Sequence, residues 1–254
     1  MRAFFFLLIL TPIYSNAFSL DASSFVNIDQ LVPEASRNTF IKTIGLGTAH
    51  RSYEPATALM GGVGLEFGVE LTIAQIPQSF RDVLSQAGSN SSNLRILPIP
   101  RGIVHKRLLE KFDVGGSFVG YQGLVVIGAD FKYTFHQPEE GPTFAFRGNY
   151  TYSKLGIYKG HTIEPQIVVS RRLNFADPFI SVGYAYSIGT LSLDIPTGVP
   201  GISVSQDLTG KGGAFKSQLG VVLHFWPTGI RLTLHGEYVT FGTNSLGIKF
   251  GFEF

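Results

Sequence analysis

The sequence predicts an all-β fold: one transmembrane antiparallel up-and-down β-barrel of ten strands, with eight or twelve strands as the alternatives. Hydrophobic residues make up 44% of the 254 residues, yet they are spread along the chain instead of gathered in long runs. Over many segments of strand length, large apolar residues occupy every second position. That period places one set of side chains on each face of a strand. The last such segment continues to the final residue, Phe254.

The final nine residues carry the most informative pattern. Leu246, Ile248, Phe250, Phe252 and Phe254 alternate with Gly, Lys or Glu, so the apolar face reaches the terminal carboxylate. The last strand of a water-soluble sheet usually ends in a polar tail. A strand that closes a barrel in lipid needs an apolar outer face and a paired edge.

In these residues the chain resembles bacterial outer-membrane β-barrel proteins. The resemblance implies that the wall is surrounded by outer-membrane lipid and that both chain termini are periplasmic. It also implies that the barrel-assembly machinery recognises an assembly signal at the C-terminus, formed by Phe250, Phe252 and Phe254.

The N-terminus predicts export. Arg2 precedes a short apolar run, and Ser15-Asn16-Ala17 supplies the small residues of a cleavage site. This is the arrangement of a signal peptide. The alternative, a membrane anchor, is disfavoured because the run is shorter than the ~20 residues that a spanning helix needs. We therefore expect residues 1–17 to be a signal peptide cleaved after Ala17.

Alternation read backward from Phe254 predicts ten strands. Pro98 and Pro100 make the second ambiguous, and Pro165 weakens the sixth, because proline donates no ladder hydrogen bond. Connections at one end are short, whereas those at 75–95 and 191–213 are long, as expected when the C-terminus is periplasmic. The predicted strands are residues 61–76, 96–107, 111–121, 124–136, 143–154, 161–173, 179–192, 214–226, 229–241 and 243–254.

The segment 18–60, between the signal peptide and the barrel at 61–254, has no strict alternation. Around Pro33 it contains stretches that favour short helical pieces, which the proline would interrupt. The segment is longer than a periplasmic tail requires. Two interpretations stay open: it enters the barrel as a plug, or it hangs on the periplasmic side.

The alternation directs eleven charged side chains into the lumen, and both signs are interspersed. A packed network of ion pairs and a narrow polar path for small solutes are both compatible with this set. No ring of one sign appears, which argues against ion selectivity. A hairpin turn near 241–243 would place Arg231 opposite Glu253. The predicted lumen residues are Glu66, Glu70, Asp130, Lys132, Arg147, Glu164, Lys216, Arg231, Glu237, Lys249 and Glu253.

Composition excludes several functions. The chain has no cysteine and a formal net charge of +2, so thiol chemistry is excluded and nucleic-acid binding gains no support. We found no metal-ligand spacing and predict no metal and no cofactor. His161, beside Thr162 and within reach of Ser153 or Ser187, is the one histidine near the outer rim. No catalytic motif surrounds it, so we predict no catalytic residue.

These features together predict a non-enzymatic integral outer-membrane protein that is structural or forms a narrow channel for small solutes. An alternative is the uptake of small hydrophobic compounds. It rests on apolar residues in the two predicted external loops, such as Ile76 and Phe80 in one and Leu193 and Ile195 in the other. A lipid-modifying enzyme is a more distant alternative.

Overall fold

The computed structural model describes residues 34–59, 62–78, 81–82, 95–121, 123–196, 203–225, 228–240 and 242–254. The predicted signal peptide and its cleavage site after Ala17 lie outside these residues. A helix, α1 (Glu34–Thr48), precedes ten strands. The strands are β1 (Leu65–Gln75), β2 (Ile96–Leu109), β3 (Phe112–Tyr121), β4 (Leu124–His136), β5 (Pro142–Leu155), β6 (Tyr158–Arg171), β7 (Ala176–Pro196), β8 (Ser203–Phe225), β9 (Ile230–Val239) and β10 (Ser245–Glu253).

The ten strands form one closed barrel in which each strand pairs antiparallel with its neighbours in the chain. β1 and β10 close the seam, in a register that runs from Glu66 opposite Glu253 to Ala74 opposite Ser245. Closure satisfies the backbone hydrogen bonds that an open sheet would leave unpaired at its two edges. The predicted ten-stranded antiparallel up-and-down barrel is confirmed.

Side chains alternate between the two faces of the wall as a period of two requires. In β5, Ala145, Arg147 and Asn149 are buried inside, whereas Phe146 and Tyr150 point outward. The same pattern leaves many large apolar side chains exposed on the outside; Phe118, Phe215 and Leu219 are each more than half exposed. The barrel is therefore polar inside and apolar outside.

Pro98, Pro100 and Pro165 are accommodated on the outer face of the wall. Pro98 and Pro100 point outward in β2 and lie opposite Ile73 and Leu71 of β1. At Pro165 the ladder between β6 and β7 is interrupted, since Glu164 and Pro165 have no paired partner in β7 while the flanking residues keep one register. A missing backbone donor explains the gap.

The bounds predicted for the loop at 191–213 are wrong. β7 continues to Pro196, β8 begins at Ser203, and their ladder is unbroken from Ala176 opposite Leu223 to Pro196 opposite Ser203. Leu191 and Leu208 face each other in this extension and are buried. Leu193 and Ile195, two of the apolar residues that suggested a loop for hydrophobic ligands, thus belong to strand β7 of a long hairpin.

Two ends of the barrel can be distinguished. The C-terminal end carries Phe254 and the connections β2–β3, β4–β5, β6–β7 and β8–β9; the far end carries the other five connections. Residues 34–59, here called the inner segment, run through the lumen from the far end to the C-terminal end. No described helix is long and apolar enough to span a membrane.

α1 anchors the inner segment at the far end. The helix begins directly after Pro33 and is continuous to Thr48, so it is longer than the short pieces expected. Its apolar side chains pack in one cluster with the rim of the barrel, formed by Phe40, Ile41, Ile44, Ile76, Leu155, Tyr158, Leu191 and Leu208. The prediction of a periplasmic N-terminus falls on residues outside the described part.

Candidate functional site in the barrel lumen

Wall side chains donate hydrogen bonds to the backbone of the inner segment. Residues 49–59 form no helix or strand, so their carbonyl groups need partners from elsewhere. Lys132 Nζ donates to two of them at 3.1 and 2.6 Å, Thr134 Oγ1 donates to a third at 2.7 Å, and the Arg147 guanidinium donates to two more. The accepting carbonyls belong to Ser52, Glu54, Pro55, Ala56 and Thr57.

His50 is held on both sides of its ring. Its Nδ1 lies 2.7 Å from Ser117 Oγ, and its Nε2 lies 2.7 Å from Asp130 Oδ1. Its backbone N–H donates to Thr151 Oγ1 at 2.7 Å. The ring sits over Gly128, where a Cβ atom would lie 2.5 Å from His50 Cβ and 2.6 Å from Ser117 Oγ. The wall therefore has a recess into which the imidazole fits.

Arg51 joins α1 to the wall. Its guanidinium donates to the carbonyl oxygens of Leu46, Gly47 and Ala49 at 2.9–3.0 Å, which satisfies acceptors that the end of a helix leaves free. The same side chain donates to both carboxylate oxygens of Glu237 at 3.0 and 3.1 Å. Arg51 thus caps the C-terminus of the helix and also binds it to β9.

Glu54 lies in a cluster of buried charges near the C-terminal end. Arg231 pairs with Glu54 at 2.9 Å and with Glu66 at 3.0 Å, and Lys249 pairs with Glu66 at 3.0 Å and also with Glu54. His105 Nδ1 is 3.8 Å from Glu66 and 3.9 Å from Glu54. Two carboxylates facing two cations offset the high cost of burying each charge alone.

The same cluster offers a set of metal-ligand types. Ligand atoms of Glu54, Glu66 and His105 lie within 4.8 Å of one another. Both carboxylates are already paired with Arg231 and Lys249, so a metal ion would have to displace a buried cation. We interpret the cluster as a contact between the inner segment and the wall.

The structure places ten of the eleven predicted lumen residues on the buried inner side of the wall, and Glu253 is half-buried at the C-terminal end. Lys216 joins Glu164 and Glu237 at 2.8 and 2.9 Å. Glu70 has partners outside the predicted set. Its partners are Thr72 at 2.5 Å and, at 3.9 Å, Arg101.

The suggested pair of Arg231 and Glu253 forms, but not in the expected register. Arg231 lies opposite Gly251, two residues from the predicted partner, and its guanidinium reaches Glu253 at 3.4 Å diagonally. The observed ladder places Glu237 opposite Ser245, so every pair is shifted by two residues from the pairing of a hairpin that is symmetric about residue 242. Long side chains on neighbouring strands can meet across such a diagonal.

Sequence reasoning missed several buried charged residues. Arg101, His105, Asp113 and Asp177 also line the inside of the wall, but the first two belong to the strand that prolines made ambiguous, and the other two stand at strand starts. His50, Arg51 and Glu54 lie in a segment with no periodicity. The one available signal was the run from His50 to Glu54, which is unusually polar for a buried stretch.

The structure argues against the rim histidine as a catalytic group. His161 is exposed on the outer face, where its Nδ1 meets the Tyr150 hydroxyl at 2.7 Å. Thr162, Ser153 and Ser187 are buried on the inner face. Inside, Ser117, His50 and Asp130 do follow the order of nucleophile, base and orienting acid. Each of the three is more than nine-tenths buried, so we interpret this arrangement as a contact that holds the inner segment.

The residues of the predicted assembly signal lie on the outer face. Phe250, Phe252 and Phe254 are 40%, 41% and 57% exposed. Phe254 also takes part in closure: its N–H donates to Leu65 O at 2.9 Å, and its carbonyl accepts from Val63 and Leu65 at 3.2 and 3.3 Å. The last residue therefore extends the seam beyond β10.

No protein-family model and no curated protein matches the chain. Similar solved structures include the outer membrane protease OmpT from Escherichia coli, with 10% identity and a TM-score of 0.44 over 80% of this chain and 100% of OmpT. Neisserial surface protein A is 9% identical, with a TM-score of 0.32 over 75% of this chain and 97% of that one. The attachment invasion locus protein Ail of Yersinia pestis is 11% identical, with a TM-score of 0.29 over 75% and 96%. Scores this low carry no argument about activity.

Proposed function

We propose that the protein is a non-enzymatic integral barrel of the outer membrane, and that its inner segment plugs a narrow polar channel for small solutes. The observation that carries the proposal is the way residues 49–59 of the inner segment are held between α1 and the C-terminal end. They are bound there mainly by hydrogen bonds and ion pairs to wall side chains, so their departure would leave a lumen lined by groups that water and solutes can solvate.

The membrane location is supported by the polarity of the wall. Soluble proteins rarely expose apolar patches of more than a few hundred Å², whereas here the apolar face continues around the barrel through residues such as Val69, Phe131, Ile180 and Phe215. A closed barrel leaves no strand edge unpaired in hydrocarbon. The aromatic end of β10 is the feature that resembles outer-membrane barrels.

The passage of small solutes is supported by the chemistry of the lumen. Its wall carries buried carboxylates and buried cations on most strands, for example Glu70 and Arg101, and Glu164 and Lys216. Both signs occur, so the expected path is polar and weakly selective. At the C-terminal end a cavity of about 70 Å³ lies beside Pro55, Thr57 and Arg231, where a solute path would begin.

The alternative of hydrophobic uptake loses its main support in the described residues. Leu191 and Leu208, which lie in the region predicted to be an apolar external loop, are buried against α1. Ile76 from the other predicted loop belongs to the same cluster. These side chains are therefore occupied by intramolecular packing.

The test is a pair of cysteines that ties the inner segment to the wall. Thr48 Oγ1 and Ser153 Oγ lie 2.8 Å apart, and the natural chain has no cysteine. Thr48→Cys with Ser153→Cys should therefore form one disulfide. In planar bilayers we expect openings from the reduced variant, loss of those openings on oxidation, and recovery with a reductant.

A second variant keeps the test decisive. Deletion of residues 34–59 should convert brief openings into sustained conductance, provided that the barrel still migrates as a folded, heat-modifiable band. Arg147→Ala, which removes two hydrogen bonds to the inner segment, should conduct at an intermediate level. Equal conductance of oxidised and reduced cysteine variants, or silence from a folded deletion variant, would overturn the channel.

A further inference from the structure

Two lysines stand side by side at the far end of the barrel, and no described side chain gives either of them an acidic partner. Lys154 of β5 lies directly opposite Lys159 of β6, next to the hairpin turn at Gly156. Both side chains are exposed. Their Cβ atoms are about 5 Å apart in such a pair, and like charges placed there repel. Among the described residues, no carboxylate lies within 4.0 Å of either ammonium group.

The hairpin that carries the lysines is held firmly from inside. Leu155 and Tyr158, the adjoining pair, are 5% and 0% exposed and belong to the cluster around α1. Because side chains alternate along a strand, burial of this pair directs Lys154 and Lys159 to the outer face. The two ammonium groups are therefore presented together on a rigid support.

Below the lysines the outer face becomes first aromatic and then apolar. Tyr152 lies opposite His161, and the Tyr150 hydroxyl is 2.7 Å from His161 Nδ1. When Tyr150 donates this bond, His161 Nε2 carries the proton and is a further donor. Tyrosine and similar amphipathic rings occupy the level of lipid headgroups at the membrane boundary, so the lysines lie at the height of lipid phosphates.

A groove continues down the wall from the same two strands. It has a volume of about 370 Å³ and is lined mainly by apolar groups, including Phe131, Phe146, Tyr150, Ile163 and Pro165. The groove passes Gly148, which lies opposite Pro165. A recess of this shape and chemistry suits an acyl chain that runs along the wall.

We propose that Lys154, Lys159 and His161 bind the phosphate of a phosphorylated lipid whose acyl chain occupies the groove below. Charge-assisted hydrogen bonds from the ammonium groups to the phosphate would replace the repulsion between the lysines. The proposal rests on the membrane location given above, and it is independent of whether the lumen conducts.

The test is lipid retention by the full-length folded barrel in a neutral detergent, measured by native mass spectrometry with long-chain phosphatidic acid as the probe. Basic residues near a membrane surface contribute similar increments to anionic lipid binding, so we expect about fivefold weaker retention for Lys154→Gln or Lys159→Gln and about thirtyfold for both. The matched control, Lys111→Gln with Arg171→Gln, removes two exposed cations near the opposite end and should retain the lipid as the natural chain does.

Further arms separate the possible sources of binding. Diacylglycerol, which lacks the phosphate, should not be retained, and inorganic phosphate should compete weakly because it cannot use the groove. Equal losses in the lysine pair and in the control pair, equal retention of diacylglycerol, or equally strong binding of inorganic phosphate would each overturn the lipid site. Failure of the natural chain to insert into vesicles at all would instead contradict the proposed membrane location.

Discussion

At the scale of the residue, a glycine in the wall leaves the space that the inner segment needs. Gly128 leaves the space into which His50 fits, and a Cβ there would lie 2.5 Å from His50 Cβ and 2.6 Å from Ser117 Oγ. Gly128→Ala should therefore push His50 out of its recess and weaken the bonds to Ser117 and Asp130. We expect faster amide hydrogen exchange over residues 49–59 in the folded variant, measured by mass spectrometry.

The control for this substitution is Gly102→Ala. Gly102 also belongs to the wall, but a Cβ at this position would meet no atom within 4 Å, and its backbone does not need a positive φ. Exchange over residues 49–59 should stay as in the natural chain. The same increase in both variants would mean that added bulk anywhere in the wall loosens the inner segment. The space at Gly128 would then have no specific role in positioning His50.

At the scale of the element, β10 pairs with β1 and β9, and the residue after it forms further hydrogen bonds next to β1. Phe254 extends the seam with three backbone hydrogen bonds to Val63 and Leu65, and its ring points outward. Deletion of Phe254 removes these bonds and the terminal aromatic ring, so we expect lower amounts of assembled protein in the outer membrane, measured by heat-modifiability of membrane fractions. Phe254→Tyr keeps the ring and the backbone and should assemble nearly normally. Normal amounts of the deletion variant would contradict this role of the C-terminus.

At the scale of the whole molecule, the barrel is polar inside and apolar outside, the reverse of a soluble protein. Substitutions of two adjacent residues, one on each face, test this arrangement. Phe146 points outward and contacts Phe131, at 5.9 Å between ring centroids, whereas Arg147 is buried inside. Phe146→Arg should lower the free energy of unfolding in lipid by about 2–4 kcal/mol, because it places a charge in the hydrocarbon. The measurement is denaturant unfolding in vesicles.

Arg147→Ala serves as the comparison. It leaves the outer face unchanged and removes hydrogen bonds to Ser52 and Glu54 of the inner segment. We expect a smaller loss of unfolding free energy together with faster hydrogen exchange over residues 49–59. The opposite ranking of the two variants would mean that the inner and outer faces are interchanged.

Most of the wall could be predicted from the sequence, because alternation is a local signal that each strand carries by itself. β4, for example, was predicted with its observed bounds. The extension of β7 and β8 was not, since Pro196, Pro200 and several glycines are typical of loops. The alternating Ser192, Leu193, Asp194 and Ile195 would have indicated a strand.

The contents of the lumen were harder to predict for a physical reason. Residues 49–59 are held by bonds to Lys132, Arg147 and other wall residues 48 or more positions away, and such contacts leave no periodicity in the segment itself. Charged residues on the inner face were identifiable one by one. Their partners depend on the inner segment, so the network could not be derived from the strands alone.

The direction of the inner segment has a consequence for the order of assembly. The segment passes through the lumen, and only a few residues separate its end at Leu59 from β1 at Leu65, which forms the closing seam with β10. A barrel that had already closed would admit the bulky α1 only by threading it through a filled, narrow interior. The simpler sequence of events is that the sheet curls around a segment already lying on its inner face, and that the seam closes last. The inner segment, which precedes the strands in the chain, would then serve as a template around which the barrel forms.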